Sequence, residues 1–363
     1  MNQRFLVLDS FRGIAAVCVV LFHTHIVGSI TESSFSRGSY LFVEFFFVLS
    51  GFVLAHTYGF REVSFRRFII GRTFRLYPLH LFMFMIFFIL ELGKLFAYKQ
   101  GFTFNNAPFT GPHDIKEMIP NLLFLQSWLP NFESHSWNYP AWSLSVEYYM
   151  YIIFFFTLFV RSRSKYIVWL VLSLLSFYMI VENSKVLSEV LRGLSCFFAG
   201  ALAYILFKNI KEKFYDLSKT LFSTIEITLL IMVIYTISYM ENHKGVYASF
   251  TFLLVVFFFA FEKGFISHIL KAPFFQLLGR LSYSIYMIHA AILWCFTSTA
   301  MILEKVFSSK FAPMIANIRY IDFGNIYINN FAVLAVVSTV IFASTLTHKQ
   351  IEVKAQEFGK KII

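Results

Sequence analysis

Residues 7–28 read VLDSFRGIAAVCVVLFHTHIVG. The run is as long as the roughly 20 apolar residues needed to cross a bilayer's hydrocarbon core, yet it carries Asp9, Arg12, His23 and His25. Ionisable groups in lipid are costly, so their presence marks candidate functional positions. Arg12 and His23 are eleven residues apart, which at about 100° per residue is close to three full turns. Both therefore lie on one helix face, about 16 Å apart along the axis. His25 points about 200° away from His23 and serves some other place. On geometry alone, His23 as a packing residue and His23 as a reacting group stay equally open. The run resembles a secretory leader only superficially. Asp9 and Arg12 interrupt it and no small-residue cleavage site follows, so it is expected to be an uncleaved first span.

The rest of the chain is of the same character. Of 363 residues, 58% are hydrophobic and 14% charged, with a mean hydropathy of +0.67. Soluble domains carry roughly 25% charged residues, and a water-facing surface could not hide this much apolar area. The expected fold is an all-α integral membrane protein. Its ten or so spans form a single transmembrane domain, near 7–28, 40–58, 77–97, 142–160, 166–182, 187–207, 220–240, 246–262, 276–301 and 327–347. The net charge of +11 does not form a patch interleaved with aromatics but sits in short segments between apolar runs, which excludes nucleic acid as a partner. Basic residues concentrate in alternate connections, as at Arg61, Arg66, Arg67, Arg72 and Arg75 or Lys208, Lys211, Lys213 and Lys219. That bias predicts both termini in the cytoplasm. Cys18, Cys196 and Cys295 all lie in apolar runs without a Cys-x-x-Cys spacing and read as small buried hydrophobes.

Four further segments carry polar groups into the spans. Glu44 precedes Phe45-Phe46-Phe47-Val48-Leu49-Ser50-Gly51, where Ser50-Gly51 suits close helix packing and Glu44 suits a partner such as Arg37. Arg66-Arg67-Phe68-Ile69-Ile70-Gly71-Arg72-Thr73-Phe74-Arg75 is basic and amphipathic. It fits adhesion to anionic lipid and equally a clamp of Arg72 and Arg75, at i and i+3, on a phosphate group. Trp142-Ser143-Leu144-Ser145-Val146-Glu147 places Ser143 and Glu147 on one face. There Glu147 is either a solvated interfacial carboxylate or one that holds a proton or orients a histidine. Ser282, Tyr286 and His289, at i, i+4 and i+7, form a polar stripe that lines a cavity or bonds a neighbouring helix. The Pro-rich connection 98–141 carries Trp128 and Trp137, with Trp142 just beyond it, which suit interfacial anchoring or a binding surface. No metal-ligand spacing stands out, so no metal is expected.

In their order along the chain, these segments resemble the acyltransferase type 3 family of membrane-bound acyltransferases. The resemblance runs from Leu8-Asp9-Ser10-Phe11-Arg12-Gly13 with His23, through Phe46-Phe47-Val48-Leu49-Ser50-Gly51-Phe52 and Arg72-x-x-Arg75 with Tyr77-Pro78. It continues through Trp142-Ser143-Leu144-Ser145-Val146-Glu147 to Ser282-Tyr283-Ser284-x-Tyr286-x-x-His289. It implies O-acyl transfer, most often of acetyl, from cytoplasmic acyl-CoA to a hydroxyl of an envelope or extracellular carbohydrate. Acyl-CoA is then a co-substrate and no tightly bound cofactor is implied. The resemblance also implies that Arg12 and His23 are the family's first-helix pair, with His23 in the catalytic role; Glu147 is expected, on its own chemistry, to set the tautomer of His23 and stabilise its imidazolium. Arg12, Arg72 and Arg75 would hold the acyl-CoA phosphates, and Trp142, Ser143, Tyr286 and His289 the acceptor. Location in a bacterial cytoplasmic membrane follows, with lipid and separate envelope-biosynthesis proteins as partners, the chain acting without an esterase-like domain. Two departures stand out: Glu44 where the family often has Asp, and Ile351-Glu352-Val353-Lys354 where it often has Ile-Glu-x-Pro. A transporter or flippase of an envelope precursor is the alternative, since charges in spans also build permeation paths. The absence of an inverted repeat weighs against it.

Overall fold

The computed structural model describes residues 4–102, 104, 106–160, 163–182 and 187–362. Fourteen α-helices are described. They are α1 (Leu6–His23), α2 (Ser34–Gly38), α3 (Phe42–Tyr58), α4 (Phe65–Lys99), α5 (Met118–Leu122), α6 (Ala141–Thr157) and α7 (Ser164–Val181), then α8 (Ser188–Tyr215), α9 (Lys219–Tyr239), α10 (Lys244–Phe259), α11 (Phe265–Leu270), α12 (Pro273–Phe307), α13 (Ile326–Thr347) and α14 (Lys354–Ile362). A π-helical segment, His348–Val353, joins α13 to α14. The one strand pair among the described residues is a small hairpin, β1 (Met314–Ile315) and β2 (Ile318–Arg319), whose two central residues both have positive φ, the geometry of a tight primed turn. By length and composition eight described segments are able to cross a membrane, and α10, at 16 residues, is a shorter apolar helix.

Helix limits differ from the hydropathy runs where local chemistry overrides hydropathy. The first helix stops at His23, because Thr24 turns to extended backbone (ψ 121°) while its N–H still bonds the carbonyls of Val20 and Leu21. The basic stretch 66–76 is not a connection but the opening of α4, started by Ser64, whose side chain caps Arg67 N–H. Pro78 lies inside that helix, where a proline removes one backbone hydrogen bond.

The chain divides into two compact units. The first comprises the residues through Arg61 together with Cys196–Thr345. Its α1 and α12 are joined at two backbone glycines. A Cβ on Gly13 would stand 2.4 Å from the carbonyl carbon of Leu278, and one on Gly279 would stand 2.4 Å from the carbonyl oxygen of Asp9. In lipid, where apolar side chains give no hydrophobic drive for helix pairing, small residues let backbones touch and supply the packing energy. Below the glycines, Gln276 Nε2 donates to the Leu6 carbonyl (2.8 Å) and to Ser10 Oγ (2.7 Å), and Ser10 Oγ donates to the Leu270 carbonyl (2.6 Å). Ser10 with Gln276 and Gly13 with Gly279 share a 266-residue offset, so the two helices run parallel. Gly51 does the packing its sequence context suggested: a Cβ there would meet the carbonyl oxygen of Phe197 on α8. Glu44 is buried at 1% exposure. Cys295 is exposed, unlike Cys18 and Cys196.

The second unit comprises Glu62–Ser195 and the residues from Leu346 onward. Here α4 packs against α6 and α14. The 100–140 connection is pinned to α4 by the buried Glu91, which accepts from His113 (2.9 Å), Lys94 (3.2 Å) and the Phe109 N–H (3.0 Å). His80 Nε2 donates to the Asn121 carbonyl (3.0 Å), and Asn121 Nδ2 donates to the Ser136 carbonyl (2.9 Å). Trp137 is not a surface anchor. It is 1% exposed and packs against Phe84, Phe88 and Phe109.

Candidate functional site

Ten residues beyond the glycine contact, the parallel register brings together two imidazoles. His23, at the end of α1, stacks on His289 of α12 with ring centroids 5.2 Å apart and planes inclined by 26°. This pair keeps the same 266-residue offset and lies about 15 Å up the helices from Gly13 and Gly279. His289 is fully buried and its Nδ1 is 2.8 Å from the Tyr286 carbonyl. A carbonyl only accepts, so Nδ1 carries the proton, and in the neutral ring Nε2 carries the lone pair. Tyr286 contacts His289 and also meets Phe46 edge-on at 5.6 Å. His23 is only half-buried. Of the two rings it is the more exposed, and His289 packs behind it.

Toward the start of α1, Arg12 is quarter-exposed, 3.7 Å from the carboxylate of Asp9, which Arg4 contacts at 2.7 Å. The start of α1 is held from outside the helix: Glu262 accepts the Val7 N–H (3.0 Å) and pairs with Lys271 (3.2 Å). A carboxylate at a helix N-terminus is favoured both by the open N–H groups and by the macrodipole. Just past the far end, His25 sits beside Arg37 and is partly buried. Burial, reinforced by the nearby guanidinium, lowers its pKa from 6.5 to about 4. It is therefore neutral at physiological pH and accepts from Arg37 Nη1 at 2.9 Å.

In the second unit, Arg72, Glu147 and Tyr151 converge. Tyr151, buried on α6, donates its hydroxyl to Glu147, and the Arg72 guanidinium lies 5.7 Å from the Tyr151 ring centroid. Thr73 and Tyr148 hydroxyls are 3.0 Å apart, tying α4 to α6 in the same place. Arg75 follows one turn after Arg72 on α4. Trp142 is buried with the Arg192 guanidinium 5.1 Å from its ring centroid, and Ser143 Oγ donates to the Pro140 carbonyl (3.2 Å). Thus the sequence-predicted residues gather into two groups: Arg12, His23, Tyr286 and His289 within the first unit, and Arg72, Arg75, Trp142, Ser143 and Glu147 within the second. Tyr151 escaped the sequence reading. Its signal was present, since Ser143, Glu147 and Tyr151 continue one i, i+4, i+8 stripe. Arg37 entered the sequence reading as a partner for Glu44, whereas its guanidinium bonds the Phe22 and Thr24 carbonyls and His25, contacts that nothing in its neighbourhood along the chain shows.

The chain is similar to known proteins over most of its length. The family described as "Acyltransferase domain" matches residues 5–348. "Protein 2 in picA locus" of Rhizobium radiobacter is 35% identical over 173 residues, covering 40% of this chain and 78% of that protein. "Acyltransferase MdmB" of Streptomyces mycarofaciens is 34% identical over 113 residues, covering 31% of this chain and 26% of that protein. No solved structure matches.

Proposed function

This chain belongs to the acyltransferase domain family, and from that premise we propose that it transfers an acyl group, most often acetyl, from acyl-CoA to a hydroxyl of an envelope or extracellular carbohydrate. The observation that carries the reading is the half-buried His23 backed by His289. An imidazole held in a fixed orientation at the end of a transmembrane helix suits a general base, because its ring nitrogen can take a proton and give it back.

In the proposed reaction, neutral His23 takes the proton of the acceptor hydroxyl as its oxygen attacks the thioester carbonyl carbon. The new C–O bond forms, the C–S bond breaks, and the CoA thiolate leaves with the proton returned by the imidazolium. His289 does not exchange protons in this scheme; it fixes the ring plane of His23. The CoA phosphates are the anionic partners of Arg72 and Arg75, whose planar forks suit phosphate oxygens. Arg12 adds positive charge on the same face of α1 as His23. Glu147 stands beside Arg72 through Tyr151. The basic connections fit cytoplasmic termini in a bacterial cytoplasmic membrane, and the parallel run of α1 and α12 is what the first and ninth of ten alternating spans require.

The test is transfer of label from radiolabelled acetyl-CoA by the purified protein in lipid nanodiscs, with polysaccharide or lipid-linked sugar as acceptor. Wild type is expected to transfer label and release CoA, and His23→Ala to lose both by at least a hundredfold with normal insertion. Full activity in His23→Ala refutes the mechanism. Solute flux without label transfer in the wild type supports a transporter instead.

A further inference from the structure

We infer that Arg37 is a positioning residue for His23, a role that rests on the acyl-transfer reading above. The last carbonyls of any α-helix lack intrahelical partners. At this end of α1, two carbonyls flanking its last residue are taken by one side chain from a different helix: Arg37 Nη1 donates to the Phe22 carbonyl at 3.0 Å, and Nη2 donates to the Thr24 carbonyl at 2.7 Å. These are the residues on either side of His23. The same Nη1 reaches His25 Nδ1 at 2.9 Å, so three anchor points around His23, at Phe22, Thr24 and His25, converge on one planar group.

The arginine is itself held firmly. It lies on α2, whose start is capped by Ser33 accepting from Ser36 N–H, and Arg37 N–H bonds the Ser33 carbonyl at 2.9 Å. The adjoining Gly38 is packed so closely on α9 that a Cβ would stand 2.0 Å from the Ile237 carbonyl oxygen. The guanidinium thus reports the position of a packed helix to the end of α1. It sets where α1 stops and where Thr24 turns extended, and that break decides the direction in which His23 leaves the helix toward His289. Lysine cannot replace this: a point charge with three rotating donors does not span two carbonyls with fixed planar geometry. The guanidinium touches neither donor nor acceptor in the proposed reaction. It acts only through His23.

The experiment compares Arg37→Gln, Arg37→Lys and His23→Ala with wild type in the radiolabelled acetyl-CoA assay, with rates normalised to folded protein recovered by size exclusion. Misplacing a reacting group by about 1 Å costs on the order of a hundredfold in rate. We expect kcat of Arg37→Gln to fall tenfold to a hundredfold with KM for acetyl-CoA within twofold, and Arg37→Lys to lie between it and wild type. A uniform loss of folded protein cannot produce that split after normalisation. If His23→Ala is inactive while normalised Arg37→Gln stays within twofold of wild-type kcat, the positioning role is overturned and acyl transfer by His23 stands. If His23→Ala keeps the full rate, the acyl-transfer mechanism itself fails. Should Arg37→Gln not accumulate in the membrane, Arg37→Lys decides: a kcat equal to wild type overturns the inference, and a fall of several-fold at constant KM supports it.

Discussion

Adding one methyl group at Gly279 is expected to disable the protein while leaving its composition almost untouched. The new Cβ would stand 2.4 Å from the Asp9 carbonyl oxygen and 2.7 Å from its carbonyl carbon, about 1 Å short of ordinary contact. Both opposing atoms are backbone, inside a helix already fastened at Ser10 by Gln276, so no side chain can swing aside. The helices must separate by about 1 Å or the crossing must rotate. Overpacking of this kind costs about 1–3 kcal/mol, and the displacement is of the size that costs on the order of a hundredfold in rate when it reaches reacting groups. Gly279→Ala should therefore lower the unfolding temperature in nanodiscs and reduce acyl transfer well beyond the loss of folded protein. Gly71→Ala is the control. Its Cβ meets nothing within 4 Å, and removing a mid-helix glycine stabilises by up to about 1 kcal/mol, so that variant should be unchanged or slightly more stable. Wild-type stability and rate in Gly279→Ala would refute the close crossing.

Three other outcomes follow from described contacts. His289→Ala removes the buried ring behind His23 and should cut kcat at least tenfold, with KM for acetyl-CoA little changed, in steady-state assays. Glu91→Gln removes a carboxylate that answers His113, Lys94 and the Phe109 N–H. Breaking a buried pair costs about 3 kcal/mol, so limited proteolysis should show faster cleavage within 100–140. His25 has a folded-state pKa of about 4 against an ordinary 6.5. Unfolded His25 therefore binds a proton before the folded form does, so its neutral contact stabilises fully above pH 6.5 and is lost as pH falls toward 4. With its partly exposed ring allowed for, the effect is about 1–2 kcal/mol, and His25→Asn should flatten the unfolding temperature between pH 6.5 and 4.

The helices themselves were legible because lipid demands long apolar runs, and each expected span coincides with a helix to within a dozen residues at either end. Arg12 and His23 stood out as candidates for the opposite reason: an ionisable group in such a run calls for an explanation. The union of His23 with His289 was not legible. Hydrophobic periodicity tells which face of a soluble helix is buried, but in a bilayer both faces are apolar, and the information on which helix meets which is reduced to a few small residues. Gly13 and Gly279 held that information, yet neither sequence neighbourhood names the other. Buried charge was illegible likewise. Glu44, Glu91 and Glu226 are all at most 2% exposed, and what makes this tolerable is contact far along the chain, as where Glu226 accepts from the N–H groups of Gly264 and Ser267.

The glycine contact also works as a pivot. With the imidazoles some 15 Å along the helices from it, a tilt of about 4° of α1 against α12 moves one ring by about 1 Å relative to the other, a displacement large enough to govern a reaction rate. The fasteners at the two ends of α1 hold that angle: Glu262 and Gln276 at one end, Arg37 at the other. The chemistry of this protein thus depends on the stiffness of a lever whose fulcrum is two hydrogen atoms.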